Sequence, residues 1–360
     1  MSAADDTEAL AKKYQEEIDQ ALQNYKRVLE FLEHPPTVLV GQSPKELVWS
    51  RNKARLYHYL PAVTPRYKIP ILLIYALINK PYILDLRPGA SLVEYLVEQG
   101  YEVYLLDWGT PGSEDRHLKI DDYVLDYLPR AVKHTLEHAG AEQLTLLGYC
   151  LGAVLSVCCA ALQGETLLRN LVLMAAPLDF SEKGLLNTWL DPEYFDVDQL
   201  VEAYGVIPPE FLDFGSKMLK PANNFVLTYT NLLDKLDDKS AVESWLSIHK
   251  WVNDGVPFAG EAFRQWVKEF YRGNKLVKGE LYLRRQHVDL TKIKANFLNI
   301  IADKDHIALP SQSKPIMELV NSPDKEQIIL PAGHVGLVAG RSAINVLWPA
   351  LHGWLQTRSD

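Results

Sequence analysis

Between Leu10 and Leu32 apolar side chains recur at steps of three and four (Leu10, Tyr14, Ile18, Leu22, Tyr25, Leu29, Leu32), and His34-Pro35-Pro36 interrupts the pattern. That period belongs to an amphipathic helix, and proline ends it because its nitrogen has no hydrogen to donate. The spacing predicts an N-terminal helical segment over 1–36. Its stripe is expected to pack on the main domain; the alternative is a docking surface for a helical partner or an apolar particle.

The pattern then changes. Short unbroken apolar runs, ILLIYALI (71–78), VYLLDWG (103–109), LTLLGY (144–149), NLVLMAAP (170–177) and NFLNIIA (296–302), alternate with helical periodicity, and QIILPAG (327–333) is a weaker sixth. Strands apolar on both faces need cover on both faces, so the runs predict an α/β protein whose mostly parallel sheet is flanked by helices. From 178 to 291 no such run recurs, and aromatic and helical patterns take over, as in WVNDGVPFAGEAFRQWVKEFYRGN (251–274). The expected organisation is a core over 37–177 and 292–360, with an inserted, largely helical cap over 178–291.

Composition narrows the function classes. The 360 residues are 48% hydrophobic and 23% charged, with a formal net charge of −9. A large core is affordable, and the clustered basic surface that a nucleic-acid partner requires is missing. No apolar run is long enough to cross a bilayer, and the charged start MSAADDTEALAKKYQ does not resemble a signal peptide. Three cysteines, with Cys158 and Cys159 adjacent, fit free thiols in a reducing cytoplasm.

The candidate chemistry centres on Gly148-Tyr149-Cys150-Leu151-Gly152, at a junction of strand and helix. There the backbone turns sharply, the central side chain is lifted above the sheet, and glycines let neighbouring elements close in. In this arrangement an acid and a histidine follow the nucleophile, each just past a later strand. NFLNIIA runs into Asp303-Lys304-Asp305-His306, and QIILPAG into His334-Val335-Gly336. Spacing does not separate Asp303 from Asp305; His334 is the best general base, and His306 is placed to brace the acid loop. The backbone amide of Leu151, with one from Ile78 or Asn79, would form the oxyanion hole. His134 and His138 share a helix face, but no third ligand is in view, so no metal and no cofactor are expected.

A thiol here has a chemical consequence. The helix amino end and an adjacent imidazole favour the thiolate, and its attack on a thioester exchanges sulfur for sulfur at nearly constant free energy. The acyl group stays activated for a later, downhill attack by an alcohol.

These residues resemble one family, the polyhydroxyalkanoate synthases. ILLIYALINKPYILDLRPGASLVEYLVEQGYEVYLLDWGTPG (71–112) is similar to the family's opening strands, GYCLGA to its modified lipase box, DHIALP (305–310) to its acid loop and GHVG (333–336) to its histidine loop. The likeness runs from about Gln42 to Trp354 and implies an α/β-hydrolase fold. It also implies Asp305 as the catalytic acid, Cys150 as the site of covalent chain attachment and His334 as the base. Ala153, where many relatives have glycine, is a small departure. SPKELVWSRNKARLYHY (43–59) and PFAGEAFRQWVKEFY (257–271) look closest to the short, two-component, Bacillus-like branch (class IV, or class III). That likeness implies (R)-3-hydroxyacyl-CoA, chiefly (R)-3-hydroxybutyryl-CoA, as substrate and a small helical second subunit as partner, and it allows a homodimer. The growing polyester would place the chain at cytoplasmic granule surfaces. Two rival readings are a cysteine-triad hydrolase or thioesterase of the dienelactone-hydrolase kind, and an inactive granule-binding subunit.

Overall fold

The computed structural model describes residues 3–34, 37–163, 166–182, 184–233 and 235–360. Helix α1 (Ala3–Glu33) and residues 220–250 belong to one compact unit, while Val40–Leu219 and Trp251–Asp360 make a second. Within the first unit, the Arg27 guanidinium lies 2.9 Å from the Asp237 carboxylate. Tyr14, Ile18, Leu22 and Tyr25 are each more than half exposed. Pro35 and Pro36, which were to end the helix, and the side chains of Leu10 and Leu32 lie outside the described residues.

In the second unit one sheet holds β1 (Lys45–Arg51), β2 (Ala54–Tyr59), β3 (Ile71–Ile74), β4 (Val103–Asp107), β5 (Leu144–Tyr149), β6 (Leu168–Met174), β7 (Asn296–Ala302) and β8 (Lys325–Leu330). Their order is β1-β2-β4-β3-β5-β6-β7-β8. β2 pairs antiparallel with both β1 and β4, and every other pairing is parallel. All residues of β3 and β5 are buried, as unbroken apolar runs require. At the edge β8 has a single buried residue, Leu330, which accounts for its weaker pattern.

The run 71–78 is strand only as far as Ile74; Tyr75, Ala76 and Leu77 stay buried in the turn that follows. Ile74 pairs with Gly148, so this turn leaves the sheet beside the end of β5. The β1–β2 hairpin was not anticipated. Its alternation is broken by an irregularity between Leu47 and Trp49, and its turn rests on Asn52 at φ 51°.

Helix α2 (Leu128–Ala139) precedes β5 and ends at Gly140, whose φ of 63° is the left-handed stop that glycine supplies. Helix α3 (Leu151–Gln163) follows β5 and is buried from Leu151 through Ala161, as a helix apolar all round must be. Between β6 and β7 the second unit contributes the short helices Leu185–Trp189, Val197–Tyr204, Pro209–Met218 and Gly260–Gln265, and the small ribbon Val206–Ile207 with Phe258–Ala259.

Candidate active site

Tyr149 ends β5, Leu151 opens α3, and Cys150 between them has φ 55°. A side chain held in this left-handed region costs about 1–3 kcal/mol, which the surroundings must offset. The Cys150 amide donates to the Met174 carbonyl at 2.9 Å, and the Cys150 carbonyl accepts from the Ala153 amide at 2.9 Å. A Cβ on Gly148 would lie 2.5 Å from the Ala153 Cα, and one on Gly152 would lie 2.7 Å from the Tyr75 carbonyl carbon. Both glycines are therefore demanded by the close approach of α3 to the ends of β3 and β5.

Asp305 and His334 come from the turns after β7 and β8. Asp305 Oδ2 is 2.6 Å from His334 Nδ1, and Oδ1 accepts from the amides of Ile307 at 2.8 Å and Ala308 at 3.0 Å. The Asp305 carboxylate has no exposed surface and the His334 ring is 7% exposed. The Cys150 thiol is close enough to act electrostatically on the same ring. Burial pulls the His334 pKa down, but the charges of Asp305 and Cys150 outweigh it and push the ring up to about 10. Asp303, the other acid that spacing allowed, is exposed; Asp305 is the one paired with His334. His306 follows it in the same turn, half-buried.

Ile78, Cys150 and Leu151 share the wall of one cavity of about 490 Å³. Leu151 is the first residue of α3, and amides in the first turn of a helix have no acceptor within it. Asn79 takes φ 63°, and its side chain donates to the Trp251 carbonyl at 3.4 Å. The rest of the wall is mostly apolar, including Trp189, Phe211, Phe214, Phe258, Trp266 and Tyr271. These aromatics come from separated segments and share no period, so no sequence pattern marks them as one wall.

Tyr149 was also passed over. Its buried hydroxyl donates to the His334 carbonyl at 3.0 Å, and its ring stacks on Tyr75 at 5.7 Å. The elbow and the histidine turn are thus tied together by the residue preceding the thiol. Cys158 and Cys159 are buried along α3, and burial pushes both thiols up, Cys159 to about 12.

A cysteine, a histidine and an acid at the carboxyl ends of β5, β8 and β7 of this sheet place the chain in the α/β-hydrolase fold, and that family's model matches residues 69–340. A putative lipase from Sulfolobus solfataricus has the same fold, with a TM-score of 0.56 at 14% identity over 90% of this chain and 99% of that one. Within the class, the chain belongs to the poly(3-hydroxyalkanoate) polymerases. Residues 38–96 match the model of the poly-beta-hydroxybutyrate polymerase N-terminus. The polymerase subunit PhaC of Haloferax mediterranei is 42% identical over 90% of this chain and 66% of its own length. That of Allochromatium vinosum is 37% identical over 95% of this chain and 98% of its own length. No helix among the described residues is long and apolar enough to cross a membrane.

Proposed function

We propose that the chain polymerises (R)-3-hydroxyacyl-CoA, chiefly (R)-3-hydroxybutyryl-CoA, with the acyl group carried on Cys150. His334, oriented by Asp305, takes the Sγ proton, and the sulfur attacks the thioester carbonyl. The carbon–sulfur bond to coenzyme A breaks, and the departing thiolate takes the proton from the imidazolium. The amides of Leu151 and of the Ile78–Asn79 turn stabilise the tetrahedral oxyanion, each donor contributing about 3 kcal/mol. The hydroxyl of a bound 3-hydroxyacyl unit then gives its proton to His334 and attacks the acyl carbonyl. An oxoester forms, Cys150 is released, and the polyester is one unit longer.

The observation that carries this reading is the position of Cys150 in the wall of an apolar cavity of about 490 Å³, within electrostatic reach of a buried His334–Asp305 pair. Such a wall disfavours water against an alcohol carried on an apolar chain. The segment 178–291, taken as a cap that moves, would govern entry and exit. The exposed stripe of α1 suits a small helical second subunit or the granule surface, and a homodimer is compatible with this arrangement. Incubation with (R)-3-hydroxybutyryl-CoA, with and without the neighbouring small subunit, tests the reading. Coenzyme A release with insoluble polyester is expected; soluble 3-hydroxybutyrate without polymer would instead mean a thioesterase.

A further inference from the structure

A second cluster of ionisable side chains lies at the sheet edge, within the same unit. In the antiparallel pairings Glu46 is directly opposite His58, and His58 is directly opposite Tyr104. Opposed residues share a face, so the three form a row across β1, β2 and β4. His138, in the last turn of α2, completes the group: Glu46 Oε1 is 3.1 Å from His58 Nδ1 and 3.8 Å from His138 Nε2. One ligand atom from each of Glu46, His58 and His138 falls within 4.8 Å of the other two.

The surroundings orient these atoms. The Tyr104 hydroxyl is 2.9 Å from His138 Nδ1, so that nitrogen is engaged and Nε2 is left to face Glu46. The His58 ring stacks on Tyr104 at 4.7 Å and meets His138 at 4.9 Å. His58 Nε2 is buried with no hydrogen-bond partner among the described residues, so the ring's polar interaction is with Glu46 alone. His58 is nearly enclosed, while the side chains of His138 and Glu46 are 37% and 54% exposed and leave an approach from solvent.

We propose that Glu46, His58 and His138 bind one Zn²⁺ ion, with solvent as the fourth ligand. Tetrahedral bonds of about 2.0–2.1 Å separate ligand atoms by roughly 3.3–3.4 Å, between the 3.1 and 3.8 Å found here. Two imidazoles and a carboxylate suit Zn²⁺, whereas Mg²⁺ and Ca²⁺ prefer all-oxygen sets. Tyr104 is the outer partner that holds a ligating histidine. The ion ties the β1–β2 hairpin to α2, and its effect is on the stability of this edge.

The test is calorimetric titration of Zn²⁺ into the untagged full-length chain carrying Cys150→Ala, which removes the active-site thiol as a competing ligand. One equivalent binds, with affinity falling at acidic pH because protons compete with the metal for the ligand atoms. Glu46→Gln and His138→Gln each weaken it at least tenfold, and Tyr104→Phe by about 10–100-fold. Because Glu46 and His138 are partly exposed, metal-free melting of their variants checks that folding is intact. Co²⁺ bound to the parent chain gives a tetrahedral visible spectrum that disappears in His138→Gln. Absence of saturable binding, a non-tetrahedral Co²⁺ spectrum, or affinity unchanged in both ligand variants overturns the proposal.

Discussion

Replacing Asp305 by Asn keeps the shape of the side chain and removes its charge. The carboxamide has one oxygen to offer the amides of Ile307 and Ala308, which now bind Oδ1 at 2.8 and 3.0 Å. Its NH₂ group therefore faces His334 Nδ1 across the 2.6 Å contact. Nδ1 must then accept, the ring proton moves to Nε2, and the imidazole can no longer take a proton from the thiol or from a chain hydroxyl. One of the two charges that hold His334 up to about 10 is lost as well. General-base catalysis is worth about 10²–10⁴ in rate, or ~2.7–5.4 kcal/mol of barrier. Because the tautomer itself is inverted, we expect the upper half of that range, a loss of about 10³–10⁴. The assay is the initial rate of coenzyme A release from (R)-3-hydroxybutyryl-CoA, with insoluble polyester weighed at the end. Asp303→Asn is the control: its carboxylate is exposed, and the rate should stay within about twofold. A loss below tenfold for Asp305→Asn, or a greater loss for Asp303→Asn, would refute the reasoning.

Cys150→Ser keeps a nucleophile of similar geometry but not the thiolate; polymer formation should fall by at least about 10³-fold, and a rate near the parent's would remove the argument for sulfur. Gly152→Ala places a methyl 2.7 Å from the Tyr75 carbonyl carbon, so overpacking should cost about 1–3 kcal/mol in thermal denaturation and displace the Ile78–Asn79 turn, with loss of turnover. An unshifted melting temperature would show that the turn yields freely. His334 holds its proton more tightly folded than unfolded, about 10 against 6.5. Its contribution to stability is therefore complete below pH about 6.5 and is lost as pH rises through about 10. NMR titration of the ring should give that midpoint in the parent and a lower one in Cys150→Ala, since one of its two raising partners is gone; equal midpoints would contradict the coupling.

The elbow was legible because its requirements are local. Gly148 and Gly152 are needed by contacts at the strand–helix turn itself, and the buried strands β3, β5, β6 and β7 announce themselves as unbroken apolar runs. Asp303 and Asp305 could not be separated by spacing, since the distinction rests on which carboxylate is enclosed beside His334, a tertiary fact. The run 71–78 overstated its strand because the turn after Ile74 is buried like the strand. Hydrophobicity reports burial, and burial does not end where hydrogen bonding to a neighbouring strand does. The β1–β2 hairpin was hidden for the opposite reason: β1 is exposed along much of its length and irregular between Leu47 and Trp49. Glu46 and His58, the side chains that group with His138, were out of view for the same reason, since both lie on that hairpin, and His134 is not part of the group.

In the proposed mechanism the same imidazole serves two opposed steps, and the charges around it explain how. In the free site the charges of Asp305 and Cys150 together outweigh burial and raise the pKa of the ring, so it holds the proton taken from the thiol until the departing coenzyme A receives it. Once Cys150 carries an acyl group its charge is gone, while burial and Asp305 remain. The ring then holds a proton less tightly, at the stage where it must accept one from a hydroxyl. This switch is indifferent to whether the hydroxyl belongs to water or to a 3-hydroxyacyl unit, because both present the same O–H to the same nitrogen. Discrimination between hydrolysis and chain growth therefore falls to the cavity wall, where Trp189, Phe214 and Trp266 offer apolar contact to a chain and no hydrogen-bonded cage to water.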